Sequence, residues 1–481
     1  MNVIVLLALP LAAAVLSCLP WRRLAAAVTL ASSVAVLVVS VQLAGQVVSA
    51  GPVVAVPEWI AVDGLSALIL LLIAFVGVTA AFFSWGYLSA NSHEARRLRL
   101  YYANYNLFIF SMLAIPVLVE PTLVWIVVEL TTLCSALLVC FENTREALEA
   151  AWKYVVLSLM GAAVALLGFL VLFAAMQAGG GGAYTWEGLV TVAPTMPAVL
   201  LQTSFVLILV GLGTKVGLVP MHTWLPDAHS QAPSPVCALL SGVETTAVLY
   251  VILRLFPVLK AAPAAHAEVW AMVFGLVSVG VAALLLLRVR DYKRMFAFST
   301  VEHMGIILLA AGIGTSSAHY GALYQALNHT LTKSFCFFAA GATLLAVGTR
   351  EIASVRGLIR TSPAAGASLL VGGLAIAGAP PFAVFLSEFS IFRAGLAEGR
   401  YVAMGLLGLF VAIGFFGIML HVNRMVFGQN GPGVSPASRS RLPASCVATL
   451  CVAGLLVIVL GLYLPEPLHK LLLLGATALE R

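Results

Sequence analysis

Charge is scarce in this sequence. Among 481 residues only 19 are acidic and 25 basic, 9% in all, where an ordinary soluble domain carries roughly 25%. A chain that is 62% hydrophobic cannot clothe water-facing domains of that length, so lipid must be most of its solvent. A cytosolic enzyme is excluded. The formal net charge of +6 is not gathered into a basic stripe long enough to follow phosphates, which excludes a nucleic-acid binder. Cysteine is also sparse: Cys18, Cys134, Cys140, Cys237, Cys336, Cys446 and Cys451 are scattered through apolar stretches, with no CxxC and no His/Cys ligand spacing. No iron–sulfur, zinc or other metal site is expected, and the thiols read as small packing residues. The run Gly179–Gly182 lacks the following lysine and the strand-to-helix setting of a phosphate-cradling loop, and is expected to be a flexible external connection.

Long apolar runs are abundant instead. Taking about 20 residues as one crossing, fourteen spans are predicted, at 2–20, 24–46, 61–84, 101–118, 122–141, 151–176, 198–220, 235–256, 268–287, 295–312, 319–346, 365–396, 402–424 and 445–464. No soluble domain fits between them, so the expected fold is an all-α membrane protein of about fourteen transmembrane helices. Leu16-Ser17-Cys18 loosely resembles a lipoprotein cleavage site, but no Lys or Arg precedes the run and Arg22-Arg23 follow it. Residues 2–20 are therefore expected to be retained as a span whose C-terminal end is inside. Alternate loops hold Arg22, Arg23, Arg96, Arg97, Arg99, Arg145, Arg288, Arg290, Lys293, Arg294, Arg350, Arg356, Arg360, Arg424, Arg439 and Arg441, sixteen cations, while the opposite loops and tail hold only Lys260, Arg400, Lys470 and Arg481. The positive-inside rule then puts both termini outside, in a multi-pass protein of the cytoplasmic (inner) membrane.

Two spans carry interruptions. Residues 211–226 (GLGTKVGLVPMHTWLP) and 372–388 (GGLAIAGAPPFAVFLSE) place Gly and Pro within or beside apolar runs next to an ionisable group. They are the seventh and twelfth spans, five apart, as two inverted five-helix repeats (spans 4–8 and 9–13) require. This divides the chain into N-terminal helices 1–3 (1–100), a first repeat (101–256), a second repeat (257–425) and the fourteenth helix (426–481). Broken helices at matching places point to an ion path near mid-membrane.

An intramembrane charge costs at least ~2.5 kcal/mol even on the lenient insertion scale, so each one needs a partner or water. The basic set is Lys153, Lys215, Arg254, Lys333 and Arg393; the acidic set is Glu129, Glu244, Glu302 and Glu388. Glu129 near the middle of span five and Lys215 in broken span seven supply the two halves of an expected ion pair. His329 and Lys333, four apart, share one face of span eleven, and with Glu302-His303 on span ten they are expected to line a hydrated chain of titratable groups. Glu388, after Pro380-Pro381, is placed to pass protons to one side. Ser234-Pro235 and Asp63-Gly64 read as helix N-caps. Glu142, Arg145, Glu146 and Glu149 read as a solvated helix turn, and Lys153 either snorkels to the inner surface or joins the path.

The stretch 213–235, GTKVGLVPMHTWLPDAHSQAPSP, resembles the signature of the antiporter-like proton-pumping subunits of respiratory complex I, Mrp sodium/proton antiporters and membrane-bound [NiFe] hydrogenases. Further matches are VDGLSAL at 62–68, VELTTL at 128–133, AAWKYVVLS at 150–158, DYKRMFAFSTVEHMGI at 291–306, ALNHTLTKSFCFF at 326–338 and GAPPFAVFLSEFS at 378–390. STVEHMGI and LSEF are most similar to the F subunit of hydrogenase-4 and formate hydrogenlyase-type complexes. The resemblance implies that Glu129 is a modulating glutamate and Lys215 the pumping lysine. It makes Lys333 the central connecting lysine, His303 and His329 its hydrated neighbours, and Glu388 the terminal residue of span twelve. Where relatives often carry a second lysine on span eight, this chain has Thr246, eight residues before Arg254. Glu244 and Thr246 are about 200° apart on a helix, so Thr246 is expected to face the path and hold water while Glu244 faces another helix or a partner. The long amphipathic lateral helix that some relatives append is not expected here, so neighbours are expected to be met by ordinary helix packing.

These features imply a proton-translocating subunit of a redox-driven, hydrogenase-like or complex I-like membrane assembly. It would perform no redox catalysis and hold no cofactor of its own, and its partners would be other membrane subunits. The competing readings are an Mrp-type cation/proton antiporter subunit, the membrane partner of an inorganic-carbon uptake system, a quinone-binding oxidoreductase subunit, and an inert scaffold. Retention of the buried charges argues against the scaffold, and no feature beyond a hydrophobic groove suggests quinone binding.

Overall fold

The computed structural model describes residues 2–20, 22–90, 94–262, 268–429 and 441–480; Arg439 and Arg481, counted among the loop cations above, lie outside them. The N-terminal half contains α1 (Asn2–Ser17), α2 (Arg22–Ala50), α3 (Gly64–Ser89), α4 (Ala95–Ala114), α5 (Pro121–Val139), α6 (Arg145–Ala178), α7 (Trp186–Val192), α8 (Ala198–Val216), α9 (Trp224–Gln231), α10 (Ser234–Leu239), α11 (Thr245–Leu253) and α12 (Phe256–Ala261). The C-terminal half contains α13 (Glu268–Leu286), α14 (Tyr292–Ile313), α15 (Ser316–Val347), α16 (Leu358–Thr361), α17 (Pro363–Ile376), α18 (Ala383–Ala397), α19 (Tyr401–Phe427), α20 (Ala444–Leu462) and α21 (Glu466–Ala478).

Among the described residues, eleven helical stretches are long and apolar enough to cross a membrane. The protein is an all-α multi-pass membrane protein. The expected count of fourteen differs by α1, which is short, by α4, whose Arg96, Arg97, Arg99 and tyrosines lower its hydropathy, and by the run 365–396, which is split into α17 and α18. Two small features were not expected. Strands β1 (Val53–Val56) and β2 (Ile60–Val62) form an antiparallel hairpin ahead of α3, and α21 lies beyond the fourteenth expected run, burying Leu471 and Leu472 against α3 and α15. The Asp63 cap is present, its carboxylate accepting from Ser66 N at 2.9 Å. The Ser234 cap is not: α10 begins with Ser234 itself, behind Pro233, and the Ser234 hydroxyl is buried without a hydrogen-bond partner.

Helices in lipid gain little from apolar burial against one another, so close approach through small residues does much of the joining. A Cβ added to Gly161 of α6 would lie 2.6 Å from Gly211 O of α8, and one added to Gly275 of α13 would lie 2.6 Å from Gly305 O of α14. The apolar core of the stretch Ser234–Ala261 is fully enclosed and that of Tyr292–Ile313 almost so, whereas α2 and α19 present most of their surface outward. The enclosed helices are therefore the ones able to hold polar groups.

Three departures from regular α-helix lie inside this bundle. α8 stops where Gly217 turns to φ +87°, and a 3₁₀ turn (Met221–Thr223) leads into α9. The indole of Trp224 donates to Thr214 O at 2.7 Å, serving a carbonyl near the broken end. α17 stops before Gly378 (φ +75°), and α18 resumes at Ala383. Between α10 and α11, residues Leu240–Glu244 form a π-turn.

Replacing Gly211 with leucine forces α8 away from α6 and is expected to cost about 1–3 kcal/mol of stability, read as a lowered unfolding temperature of the protein in detergent. Gly45→Ala, where nothing lies within 4 Å, should leave that temperature unchanged within a degree or two.

Candidate functional site

Lys215 occupies the last turn of α8 and is 2% exposed. Its Nζ donates to Val128 O (2.8 Å) and to the Thr132 hydroxyl, both on α5, and lies 3.4 Å from Glu244 Oε1. Glu244 Oε1 also accepts from Thr131 Oγ1 and from Tyr154 OH, each at 3.0 Å, and the Tyr154 hydroxyl meets Ser135 Oγ at 2.7 Å. The lysine's ion-pair partner is thus Glu244, not Glu129 as expected from sequence. The reason is angular: Val128, Thr131, Thr132 and Ser135, at i, i+3, i+4 and i+7, share the face of α5 that meets Lys215, Glu244 and Tyr154, while Glu129, about 100° on from Val128, lies off that face. Glu129 makes no ion pair among the described residues, and its Oε2 is buried without a hydrogen-bond partner, as is Oε2 of Glu244.

The expectation that Glu244 would turn away from the path while Thr246 faced it is also corrected. Both are buried, at 0% and 3% exposure, because their helix is surrounded on every side and has no outward face. Glu244 points to the α5–α6–α8 cluster; Thr246 points the other way, donating to Gly242 O (3.1 Å) and approaching Thr330 Oγ1 of α15 at 3.4 Å. A π-turn spreads the helical ladder and frees carbonyls from their usual i+4 partners. Here the carbonyls of Ser241 and Gly242 meet His329 Nε2 (3.1 Å) and Thr330 Oγ1 (2.7 Å).

On the far side, Lys333 donates to Phe296 O (2.6 Å) and to the Ser299 hydroxyl of α14, with no carboxylate paired to it among the described residues. Thr300 joins Phe296 O (3.1 Å) to Ser241 Oγ (2.6 Å), so α14 is hydrogen-bonded to the π-turn. The rings of His329 and His303 are 5.4 Å apart. His303 Nε2 reaches Ile376 O, the last residue of α17, at 2.9 Å, and its Nδ1 meets Gln325 Nε2 at 2.7 Å. Because both facing carbonyls only accept, Nε2 carries the hydrogen in each histidine. Glu302 turns away from this line: its carboxylate packs against Gly414 of α19. Glu388 is buried against Gly378, where a Cβ would fall 2.6 Å from Glu388 Oε2.

The structure therefore brings Lys215, Glu244, Thr246, His329, His303 and Lys333 to one enclosed polar seam, with Glu129 and Glu388 near its ends. Lys153 is outside it, half-exposed and paired with Glu149 (2.7 Å) and with Asp227 of α9 (3.3 Å), which Arg294 also holds at 2.7 Å. Arg393 is exposed. Sequence reasoning missed the neutral members Thr131, Ser135, Tyr154, Ser241, Thr300, Gln325 and Ser387; the available signal was hydroxyls and amides repeating inside otherwise apolar runs. Arg254 is committed elsewhere, donating to both oxygens of Asp63 (2.5 and 2.7 Å), to Ser66 Oγ (2.8 Å) and, through Nε, to Tyr250 OH (2.9 Å).

Residues 121–415 match the family described as NADH:quinone oxidoreductase/Mrp antiporter, TM, and residues 55–97 match NADH-Ubiquinone oxidoreductase (complex I), chain 5 N-terminus. The chain is 39% identical over 416 residues to the hydrogenase-4 component F homolog of Methylacidiphilum infernorum, covering 84% of this chain and 85% of that one. Its fold superposes with a TM-score of 0.89 on a chain of the membrane-bound sulfane sulfur reductase, an archaeal respiratory membrane complex, at 25% identity over 99% and 97% of the two chains. A chain of the Mrp complex from Dietzia sp. gives 0.88 at 20% identity, covering 100% and 97% of the two, a likeness of fold alone. The chain belongs to the NADH:quinone oxidoreductase/Mrp antiporter family of multi-pass inner-membrane subunits. It is a proton-translocating subunit that works within a multi-subunit membrane complex.

Asp63→Asn removes the bidentate partner of Arg254 and leaves a guanidinium unpaired. Full burial would make that cost about 3–5 kcal/mol; with the two side chains 11% and 27% exposed, a loss on the order of 2 kcal/mol is expected, measured as a fall in unfolding temperature.

Proposed function

We propose that Lys215 is the exchanging group of a proton path, that Glu244 is the carboxylate that gates it, and that protons pass from there through His329, Lys333 and His303 to Glu388. The observation that carries the reading is the Lys215–Glu244 pair, 3.4 Å apart and almost without exposure, with an oxygen on each of Glu244 and Glu129 left without a protein partner. A buried oxygen of that kind needs a water or a proton. An ionised Glu244 attracts the ammonium of Lys215, and a protonated one does not; moving one proton onto Glu244 therefore releases another from the lysine. Glu129, lacking direct contact with the lysine, acts at longer range as the loading site. Thr246 carries a hydroxyl into the space toward Thr330, where relatives often place an amine.

The proposal includes fourteen spans, counting α1, α4 and the α17–α18 pair, both termini outside, and inverted repeats over 101–256 and 257–425. Interruptions at Gly217 and Gly378, each beside a buried ionisable residue, support it. Redox chemistry in neighbouring subunits of a hydrogenase-like assembly would drive the protons, in line with the similarity to a hydrogenase-4 component F homolog.

Lys215→Arg should insert and assemble yet fail to translocate protons, because arginine does not deprotonate in a protein; normal acidification of vesicles, read with a pH-sensitive dye, would sink the exchange role. Glu244→Gln should slow translocation at least tenfold, and Glu129→Gln by a smaller factor. The reverse ranking would return the gating role to Glu129.

A further inference from the structure

Gln325 of α15 lies between His303 of α14 and Ser387 of α18, and it is fully buried. Its amide nitrogen is 2.7 Å from His303 Nδ1, and its amide oxygen accepts from Ser387 Oγ at 2.5 Å. Ser387 Oγ in turn accepts from Asn328 Nδ2 at 3.1 Å and is also within reach of Val384 O (2.9 Å) and Ala383 O (3.1 Å). With His303 neutral and its hydrogen committed to Ile376 O, each contact along the line His303–Gln325–Ser387–Asn328 has one donor and one acceptor, and the serine's single hydrogen goes to Gln325 Oε1.

A proton arriving at His303 Nδ1 turns that nitrogen into a donor facing the donor face of the amide. Rotation of the amide by about 180° about Cγ–Cδ, a soft torsion, removes the conflict. Oε1 then accepts from Nδ1–H, and Nε2 donates to Ser387 Oγ. The serine hydrogen, displaced from Oε1, turns to Val384 O or Ala383 O, both already within bonding distance. Ser387 then donates once and accepts twice, from Gln325 and Asn328, which fills a hydroxyl's capacity. No heavy atom other than those of the amide has to move.

We propose that Gln325 is a positioning residue that reverses its amide whenever His303 gains or loses a proton, so that the histidine carries charge inside the membrane without leaving a donor or acceptor unpaired. The other titratable groups around His303 are Glu302 on its own helix, His329 and Lys333 on α15, and Glu388 on α18, which reaches the same Gln325 amide. Reversal of the amide exchanges the nitrogen for the oxygen in front of that carboxyl, an oxygen that only a protonated Glu388 can pair with. The state of His303 is thereby communicated to Glu388, the last group of the path. This inference rests on the path proposed above, but its test does not need transport.

The test uses the full chain in its assembled complex in membranes, with 15N-labelled histidine and glutamine, and His303 and Gln325 signals assigned by difference from His303→Asn and Gln325→Leu. Across a pH series the Gln325 side-chain amide shift is expected to change at the same midpoint as His303. Gln325→Glu offers only acceptors and should raise the fraction of His303 that is imidazolium at one fixed pH. Gln325→Leu offers none and should lower it. Both variants should slow vesicle acidification at least tenfold while the complex remains assembled. An amide signal that stays fixed while His303 titrates, or a change of the imidazolium fraction in the same direction for both variants, overturns the proposal. Normal transport by Lys215→Arg would instead overturn the path and leave the spectroscopic result standing.

Discussion

A backbone carbonyl that loses its helical partner inside lipid must find another donor, and the whole site is arranged on that constraint. Each of its four basic groups is tied to a main-chain oxygen: Lys215 to Val128, Lys333 to Phe296, His329 to Ser241 and His303 to Ile376. Two of these oxygens exist because a helix is irregular, at the π-turn and at the end of α17. The irregularities therefore supply acceptors to two of the titratable groups. Removing His303 would take away the side-chain donor of Ile376 O, whereas Ser241 O would keep the Thr245 hydroxyl at 2.7 Å.

Anchoring by carbonyls has a chemical consequence. An oxygen that only accepts can hold an amine or imidazole in place whether or not a proton is being exchanged at another position. The side chain is thus kept on the seam by a neutral acceptor, and in the proposed path the close carboxylate of Glu244 sets the charge state of Lys215. By contrast, Arg254 is held by Asp63, Ser66 and Tyr250 together. A guanidinium enclosed in that way fastens α3 to α11.

The enclosed helix α10–α11, with its π-turn, links the two sides of the arrangement: one side contributes Glu244 to the lysine of α8, and the other contributes Ser241, Gly242 and Thr246 to α14 and α15. Two polar clusters in the two halves of the chain are joined through it by side chain–backbone hydrogen bonds. Glycine contacts such as Gly161–Gly211 and Gly275–Gly305 hold the flanking helices at backbone distance, so these short bonds are kept in register.

Long apolar runs, the interruptions at 211–226 and 372–388 and the positions of Lys215, Lys333, His303, His329 and Glu388 were legible in the sequence, because burying a charge or breaking a helix in lipid is costly enough to mark the residue type at that position. The split of the run 365–396 was visible from its Gly and Pro, though the shortness of the two pieces was not. Which carboxylate faces Lys215 was not legible. Glu129 and Glu244 have equal claims by type and depth, and the choice depends on which face of α5 meets α8 and on an extra residue in the turn at Leu240–Glu244, neither of which has a local signature. The rule that residues two apart cannot both face a path assumed a single lumen on one side of a helix, whereas tertiary packing enclosed that helix all round. The neutral partners Tyr154, Ser241, Gln325 and Ser387 were silent for a related reason: a hydroxyl or amide costs little to bury once it is bonded, so sequence by itself determined where charge had to be, and only the packed bundle decided what each charge would touch.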